Sequence, residues 1–185
     1  LAQLVGPGGV VVAFEPQPTL HKILCANLVL NSIPNVLTYA MALGDCEGDC
    51  RFPVLDYSQP GNFGGIGADM VEEGETVPLC MLDGFQLERV DFIKLDVEGF
   101  EAKVLEGAAN TIERCRPIMY IENDRAEKSA ELIQRLFDMG YRLWWHTPPL
   151  FSPNNVRGNT VNLFPGIVSI NMLAIHRDMR PIEGL

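Results

Sequence analysis

Basic residues are scarce in this 185-residue sequence. Only 14 Lys and Arg stand against 24 Asp and Glu, a formal net charge of −10. Binding to a phosphate backbone needs clustered cations that displace counterions, so this balance speaks against a nucleic-acid partner. No apolar run approaches the ~20 residues of a membrane-spanning helix, and no cationic leader precedes an apolar stretch. Neither a membrane span nor a secretion signal is therefore expected. The cysteines Cys25, Cys46, Cys50, Cys80 and Cys115 are odd in number and match no disulfide framework. Cys46 and Cys50 would form half of a metal site, yet no second Cys or His pair follows at a finger-like distance. No metal is expected, and the thiols read as free groups of a reducing, cytoplasmic compartment. A G-x-G-x-x-G loop is also missing, which removes the discriminating feature of a nucleotide-binding oxidoreductase.

The remainder is ordinary for a globular protein: 47% hydrophobic and 21% charged residues, enough for one domain over residues 1–185 with a hydrophobic core. A small-molecule or glycan substrate suits the acidic surface better than a polyanion, and a homo-oligomer is a possible assembly. Val10 to Phe14 is a short Val-rich run between Gly6-Pro7-Gly8-Gly9 and Glu15-Pro16, which reads as a strand buried on both faces. Pro18 and Thr19 open a helix to about Leu30, and Val36 to Ala40 reads as the next strand. Strand, helix, strand in about thirty residues is the βαβ rhythm of a parallel sheet.

The glycine-rich stretch from Tyr57 to Gly67 reads as a loop, preceded by a possible strand at Arg51–Leu55. A short edge strand is expected at Thr76–Leu79 and a short helix at Leu82–Leu87. The rhythm then resumes. A buried strand is expected over Phe92–Asp96, a helix over Glu101–Arg114, and a strand over Pro117–Ile121 that ends in Glu122. A helix follows over Ala126–Met139 with Leu132, Ile133, Leu136 and Phe137 on its apolar side. Strands over Tyr141–Trp145 and Ile167–Ile175 complete the chain. Trp144 and Trp145 point to opposite faces, so at least one belongs in the core.

Ligands of open α/β sheets bind beyond the carboxyl ends of parallel strands. Glu15, Ala42, Asp96 and Glu122 occupy those ends, and three of the four are acids. A carboxylate at the end of the Val10–Phe14 strand can accept hydrogen bonds from two ribose hydroxyls at once. Asp96, Glu98 and Glu101 crowd one strand-to-helix turn and would repel one another without a counter-charge. Lys94, on the same strand face as Asp96, supplies part of it. Capping of the following helix by Glu98 or Asp96 is the structural alternative. Among the histidines, only His146 falls near the expected mouth of the site, and a structural role suits it better.

Several runs resemble one family: Val12-Ala13-Phe14-Glu15-Pro16, Ala42-Leu43-Gly44-Asp45, and Phe92-Ile93-Lys94-Leu95-Asp96-Val97-Glu98-Gly99-Phe100-Glu101. Val104-Leu105-Glu106-Gly107-Ala108, Arg116-Pro117-Ile118, Asn162-Leu163-Phe164 and Asn171-Met172-Leu173-Ala174-Ile175 continue the likeness in order. Together they look like the FkbM family of methyltransferases. The resemblance implies an α/β, Rossmann-like class I methyltransferase fold, a mostly parallel sheet with helices on both faces. It further implies S-adenosyl-L-methionine as cofactor and methylation of a hydroxyl on a sugar or small metabolite. Carried over by position, Glu15 with Pro16 would hold the ribose, and Met41 with Ala42 would border the adenine. Asp96 would lie beside donor and acceptor as a candidate base, with Lys94 and Glu98 around it. Asn62 and Asn162 are candidate acceptor contacts.

One departure stands out. Such domains open with a strand and a loop of the sense D-x-G-x-x-x-G around the methionine part of the donor, and no such run is present here. The chain is thus expected to lack that first strand and loop, to be N-terminally incomplete, and to bind cofactor poorly as it stands. Two readings stay beside the enzyme: a non-catalytic binding module that keeps the fold, and a Rossmann oxidoreductase.

Overall fold

The computed structural model describes residues 1–67 and 74–179. The chain divides into two compact units, one of residues 1–86 with 103–108 and one of residues 87–102 with 109–185.

In the first unit the order is α1 (Ala2–Val5), β1 (Val11–Phe14), α2 (Pro18–Leu30), β2 (Val36–Tyr39), β3 (Ala42–Leu43), β4 (Gly48–Phe52) and β5 (Glu75–Cys80). Pro18 suits the first turn of α2, where its fixed φ is helical and its missing N–H is not needed. β1 runs parallel to β2 from Val11↔Val36 to Phe14↔Tyr39. The rings of Phe14, Tyr39 and Phe85 close on one another at 5.0–5.5 Å between centroids. β1 is not buried on both faces as expected: all four of its residues are half-exposed, with β2 its one strand partner among the described residues.

The strand expected as an edge, at Thr76–Leu79, is instead the centre of a three-stranded sheet ordered β3-β5-β4. Its Pro78 cannot donate to a ladder, which a central strand tolerates only where that hydrogen bond is not needed. The two-residue β3 pairs only with Leu79 and Cys80, so Pro78 falls where that side makes no demand on it. Val77 and Phe52 form the small buried centre of this sheet. A 3-10 turn over Leu82–Phe85 stands where a short helix was expected.

The helix expected over Glu101–Arg114 is two, α3 (Glu101–Glu106) and α4 (Ala109–Cys115). The break has a tertiary cause. The backbone at Gly107 lies so close to that of Gly44 that a Cβ there would sit 1.8 Å from the Gly44 carbonyl oxygen. The Gly107 carbonyl accepts the Asp83 N–H at 3.0 Å rather than a helical one.

The second unit carries β6 (Phe92–Leu95), α4, β7 (Ile118–Glu122), α5 (Ala126–Asp138), β8 (Tyr141–His146) and β9 (Asn171–His176). Its sheet is ordered β6-β7-β9-β8, with β6 parallel to β7 and β9 antiparallel to both neighbours. Met119, Ile121, Ala174 and Leu136 are completely enclosed, beside Ile112 and Leu132. Phe137, expected on the apolar side of α5, is 51% exposed, and Trp145 is 57% exposed while Trp144 is half-buried. Neither tryptophan is a core residue.

The sheets are mixed rather than mostly parallel. Three strand pairings are parallel (β1–β2, β3–β5, β6–β7) and three antiparallel (β4–β5, β7–β9, β8–β9). The last strand explains much of the difference. It begins at Asn171 rather than Ile167 and returns beside β8 as a hairpin, and a hairpin can produce only antiparallel pairing.

Candidate active site

β6 and β7 pair in register, so Lys94 stands beside Tyr120. With a side-chain period of two, Lys94 and Tyr120 share a face, and Asp96 and Glu122 continue it at the strand ends. Asn171 of β9 pairs with Glu122 on one side and with His146 of β8 on the other. Strand parity and register alone thus bring Asp96, Glu122, Asn171 and His146 to one end of this sheet.

Their electrostatics are coupled. Lys94 Nζ donates to Asp96 Oδ2 at 2.6 Å and lies 5.8 Å from the centre of the Tyr120 ring. Glu122 is pushed up to about 8, first by its burial and then by the hydrogen bond and negative charge of Asp96 beside it. Near neutral pH Glu122 therefore carries a proton, and its carboxyl donates to Asp96. Desolvation works to raise Asp96, but the hydrogen bonds from Lys94 and Glu122 and the lysine charge outweigh it and hold Asp96 below the ordinary carboxylate range. Two neighbouring carboxyls pushed apart in this way take different protonation states at one pH.

Glu98 sits in the turn after β6 with φ of 54°, followed by Gly99 at 93°. A left-handed conformation at a non-glycine residue costs about 1–2 kcal/mol and needs outside support. Arg125, just before α5, forms an ion pair with Glu98 and lies 3.5 Å from Asp124. Burial raises Glu98, and Arg125 opposes that shift. The brace of the turn is Glu101: its buried carboxylate accepts the N–H groups of Val97 at 3.2 Å and Gly99 at 3.1 Å. Asp96 faces Lys94 and Glu122.

Oxygens of Asp96, Glu98 and Glu122 lie within 4.8 Å of one another, a spacing at which carboxylates can hold a cation. Lys94, Arg125 and the proton on Glu122 already supply the counter-charge there. Beside this group, Tyr120 Oη and His146 Nδ1 are hydrogen-bonded at 2.7 Å.

In the first unit Glu15 follows β1. Its Oε1 accepts the Gln17 N–H at 2.8 Å, and burial raises its pKa. Gln17 is itself buried. Its amide donates to the Phe63 carbonyl at 2.9 Å and its oxygen accepts from Tyr57 Oη at 3.1 Å, which ties the glycine-rich loop to the end of β1. Pro16 is half-buried between Glu15 and Gln17. Ala42 is buried, and half-buried Met41 accepts the Cys80 thiol at 3.2 Å. Asn62 is exposed at the start of the 3-10 turn Phe63–Gly65, without a capping hydrogen bond. Asn162, in the second unit, is exposed and its Oδ1 accepts the Phe164 N–H at 2.8 Å, a turn-forming role.

The profile of the methyltransferase FkbM domain matches residues 1–143. The chain belongs to the FkbM methyltransferase family. The fold of this FkbM-family chain is similar to the crystal structure of methyltransferase FkbM from Methylobacillus flagellatus KT, with a TM-score of 0.52 and 15% identity. That likeness covers 89% of this chain and 36% of the other, so the chain spans little more than a third of that protein's length. No curated protein matches the sequence.

Within the family chain, the structure joins Lys94, Asp96 and Glu98 into one group with Glu122, read in sequence as a strand-end acid but given no role, and with Arg125 and Tyr120, which sequence reading did not single out. Glu122 was legible as a strand-end acid, and Tyr120 shares its parity two residues earlier. Arg125 had no signal of its own, because its pairing with Glu98 depends on where α5 begins.

Proposed function

We propose that this chain is the donor- and acceptor-handling part of an S-adenosyl-L-methionine-dependent methyltransferase that methylates a hydroxyl of a sugar or small metabolite. The observation that carries the reading is the Asp96–Glu122 pair. Two carboxyls share a proton, with Lys94 on Asp96, at the end of parallel strands. The cofactor supplies an electrophilic methyl group on a sulfonium. The protein's own task is then to orient the acceptor hydroxyl and remove its proton.

Asp96 alone, held low by Lys94, is a weak base. The pair is a better one. Once Glu122 has lost its proton, the two carboxylates take up a proton again with an affinity near pH 8, close to the optimum for general-base work at physiological pH. Lys94 keeps Asp96 oriented throughout, and Arg125 fixes Glu98 at the rim. In the first unit the chemistry of Glu15 suits a ribose. Oε1 holds the Gln17 N–H, and Oε2 makes no hydrogen bond among the described residues and can accept from a hydroxyl. Met41 and Ala42 offer an apolar border for an adenine. Glu15, Met41 and Ala42 fit the ribose and adenine of the cofactor.

The test pairs calorimetric titration of S-adenosylhomocysteine with transfer of a labelled methyl group to a panel of hydroxylated acceptors. Glu15→Gln is expected to weaken binding about tenfold, the effect of losing a hydrogen bond to a charged group. Transfer is expected to rise as pH passes about 8 and to fall 10²–10⁴-fold in Asp96→Asn and Glu122→Gln with binding intact, the usual worth of a general base. Full turnover in Asp96→Asn with normal cofactor binding would end the base assignment. Absence of binding both by this chain and by a version extended upstream would end the donor assignment and favour a non-catalytic module.

A further inference from the structure

The second unit has two features that its chemistry leaves unused. The first is the arm of residues 147–170 joining β8 to β9. Pro149 bridges Val168, Asn155 holds the tip through the Ser152 and Asn159 carbonyls, and Asn162 turns the chain again at Phe164. The arm is therefore ordered, yet its apolar side chains point outward. Leu163 is 70% exposed, Phe164 49% and Leu150 52%. Of the twenty exposed large hydrophobic residues among the described ones, nine lie between Trp145 and Ile170. The segment 147–170 carries one charge, Arg157, in a chain of net charge −10.

The second feature is the sheet edge at β8. This strand bonds to β9 alone among the described residues. The Gly140 carbonyl accepts the Arg177 N–H at 3.0 Å, which sets the phase of the ladder. Antiparallel hydrogen-bonded pairs alternate, so Tyr141, Leu143 and Trp145 turn their backbone groups away from β9. Natural edges are guarded by Lys, Pro, a bulge or a cover. The sequence Tyr-Arg-Leu-Trp-Trp-His has no lysine or proline, and Arg142 lies 5.7 Å over the Trp144 ring.

We infer that β8 and the apolar arm form the interface of a two-fold homodimer, with β8 of one copy antiparallel to β8 of the other. A second copy suits both features together. A two-fold axis across an antiparallel edge is self-complementary. It places each arm, which starts at His146, beside the partner's Tyr141 end, where Phe137 is 51% exposed. Nine side chains at about half exposure offer apolar area on the order of the ~800 Å² that each partner of a stable complex buries. Composition also favours this edge over β6, the other margin of the sheet. β6 carries Lys94 and is flanked by Asp91 and Asp96, acids already ion-paired with Arg89 and Lys94. Burying those pairs would cost desolvation, whereas β8 and the arm carry few charges. An anionic lipid surface would repel a chain of net charge −10.

The experiment is sedimentation equilibrium of the 185-residue chain, with circular dichroism to confirm folding. A dimer mass is expected. Trp145→Lys, which puts a cation on the edge, and the arm double variant Leu163→Ser/Phe164→Ser are each expected to weaken dimerisation at least tenfold. Phe92→Lys on β6 should leave the dimer unchanged. A monomer at all concentrations, dimerisation that persists in both β8-side variants, or loss in Phe92→Lys would overturn the proposal. So would co-sedimentation of a monomeric chain with phosphatidylcholine vesicles, which would assign the arm to a lipid surface.

Discussion

The two units place acids at the ends of parallel strands in opposite ways. Glu15 stands singly at the end of β1, in a two-stranded sheet whose residues are all half-exposed or exposed, beside a helix, α2, with no buried residue. Asp96 and Glu122 end strands of a four-stranded sheet whose inward residues Met119, Ile121 and Ala174 are fully enclosed. A two-stranded sheet is marginal by itself, and a sheet of three or more strands covered by a helix can stand alone. A lone carboxylate on a loosely enclosed strand can bind, but its proton affinity is set by few neighbours. A carboxyl pair fixed by a packed sheet can be pushed apart to opposite charge states.

The sharpest way to break this contrast is to remove an apolar side chain from one helix of each unit. Leu136→Ala, at a site with no exposure, is expected to cost about 2–5 kcal/mol, whereas Ile23→Ala on α2 should cost under about 0.5 kcal/mol. Urea denaturation of the two variants measures both. Equal losses would mean that α2 is as well enclosed as α5. Next in size is Gly107→Ala, an exception within the looser unit. The added methyl would meet the Gly44 carbonyl, and the backbone must move for an expected loss of about 1–3 kcal/mol. A neutral result would show that this approach is not tight.

How far the sequence revealed each unit follows the same division. The second unit was legible from period and parity, which gave β6, β7, β8 and α5 to within a residue or two, and the acids followed at the strand ends; β6, expected to be buried, has only Leu95 buried, because Phe92 and Lys94 are exposed. Its misreadings came where long-range pairing decides. Ile167–Ile170 has strand composition but belongs to the arm, since β9 has partners only from Asn171 onward. In the first unit, β3 and the centrality of β5 had no local signal, because two residues carry no period and a strand's place in its sheet is set by long-range pairing. The break at Gly107 depends on Gly44, sixty-three positions away. Glu122 as a proton carrier was beyond sequence reading for a related reason. Its acidity is set by Asp96, a neighbour only once β6 and β7 have paired.

A smaller effect tests whether the loop in the first unit is held as the structure shows. Gln17→Ala removes a buried amide that meets the Phe63 carbonyl and Tyr57 Oη, and should cost about 1–2 kcal/mol. Limited proteolysis should then cut the Tyr57–Gly65 stretch faster, with the second unit unaffected. Unchanged cleavage would show that other contacts hold the loop.

The smallest expected effect concerns pH. Glu122 is raised to about 8 from an ordinary value of 4.5, so the folded state binds its proton more tightly than the unfolded chain does. The stability this contributes is complete below about 4.5 and is lost as pH rises through 8. Asp96 runs the other way: its folded value is lowered, so its contribution is present above the usual carboxylate range and is lost on acidification. Glu15 and Glu98 are also raised, and they add to the decline with rising pH. Melting curves of the parent chain and Glu122→Gln between pH 5 and about 9 separate these contributions, because the substitution removes one titration and leaves the two weaker ones. The parent is expected to lose on the order of 1 kcal/mol more than the variant, about 2–4 °C in Tm for a chain of this length. Parallel curves would mean that Glu122 ionises as an ordinary carboxylate, and the contrast between a paired and a solitary strand-end acid would lose its physical basis.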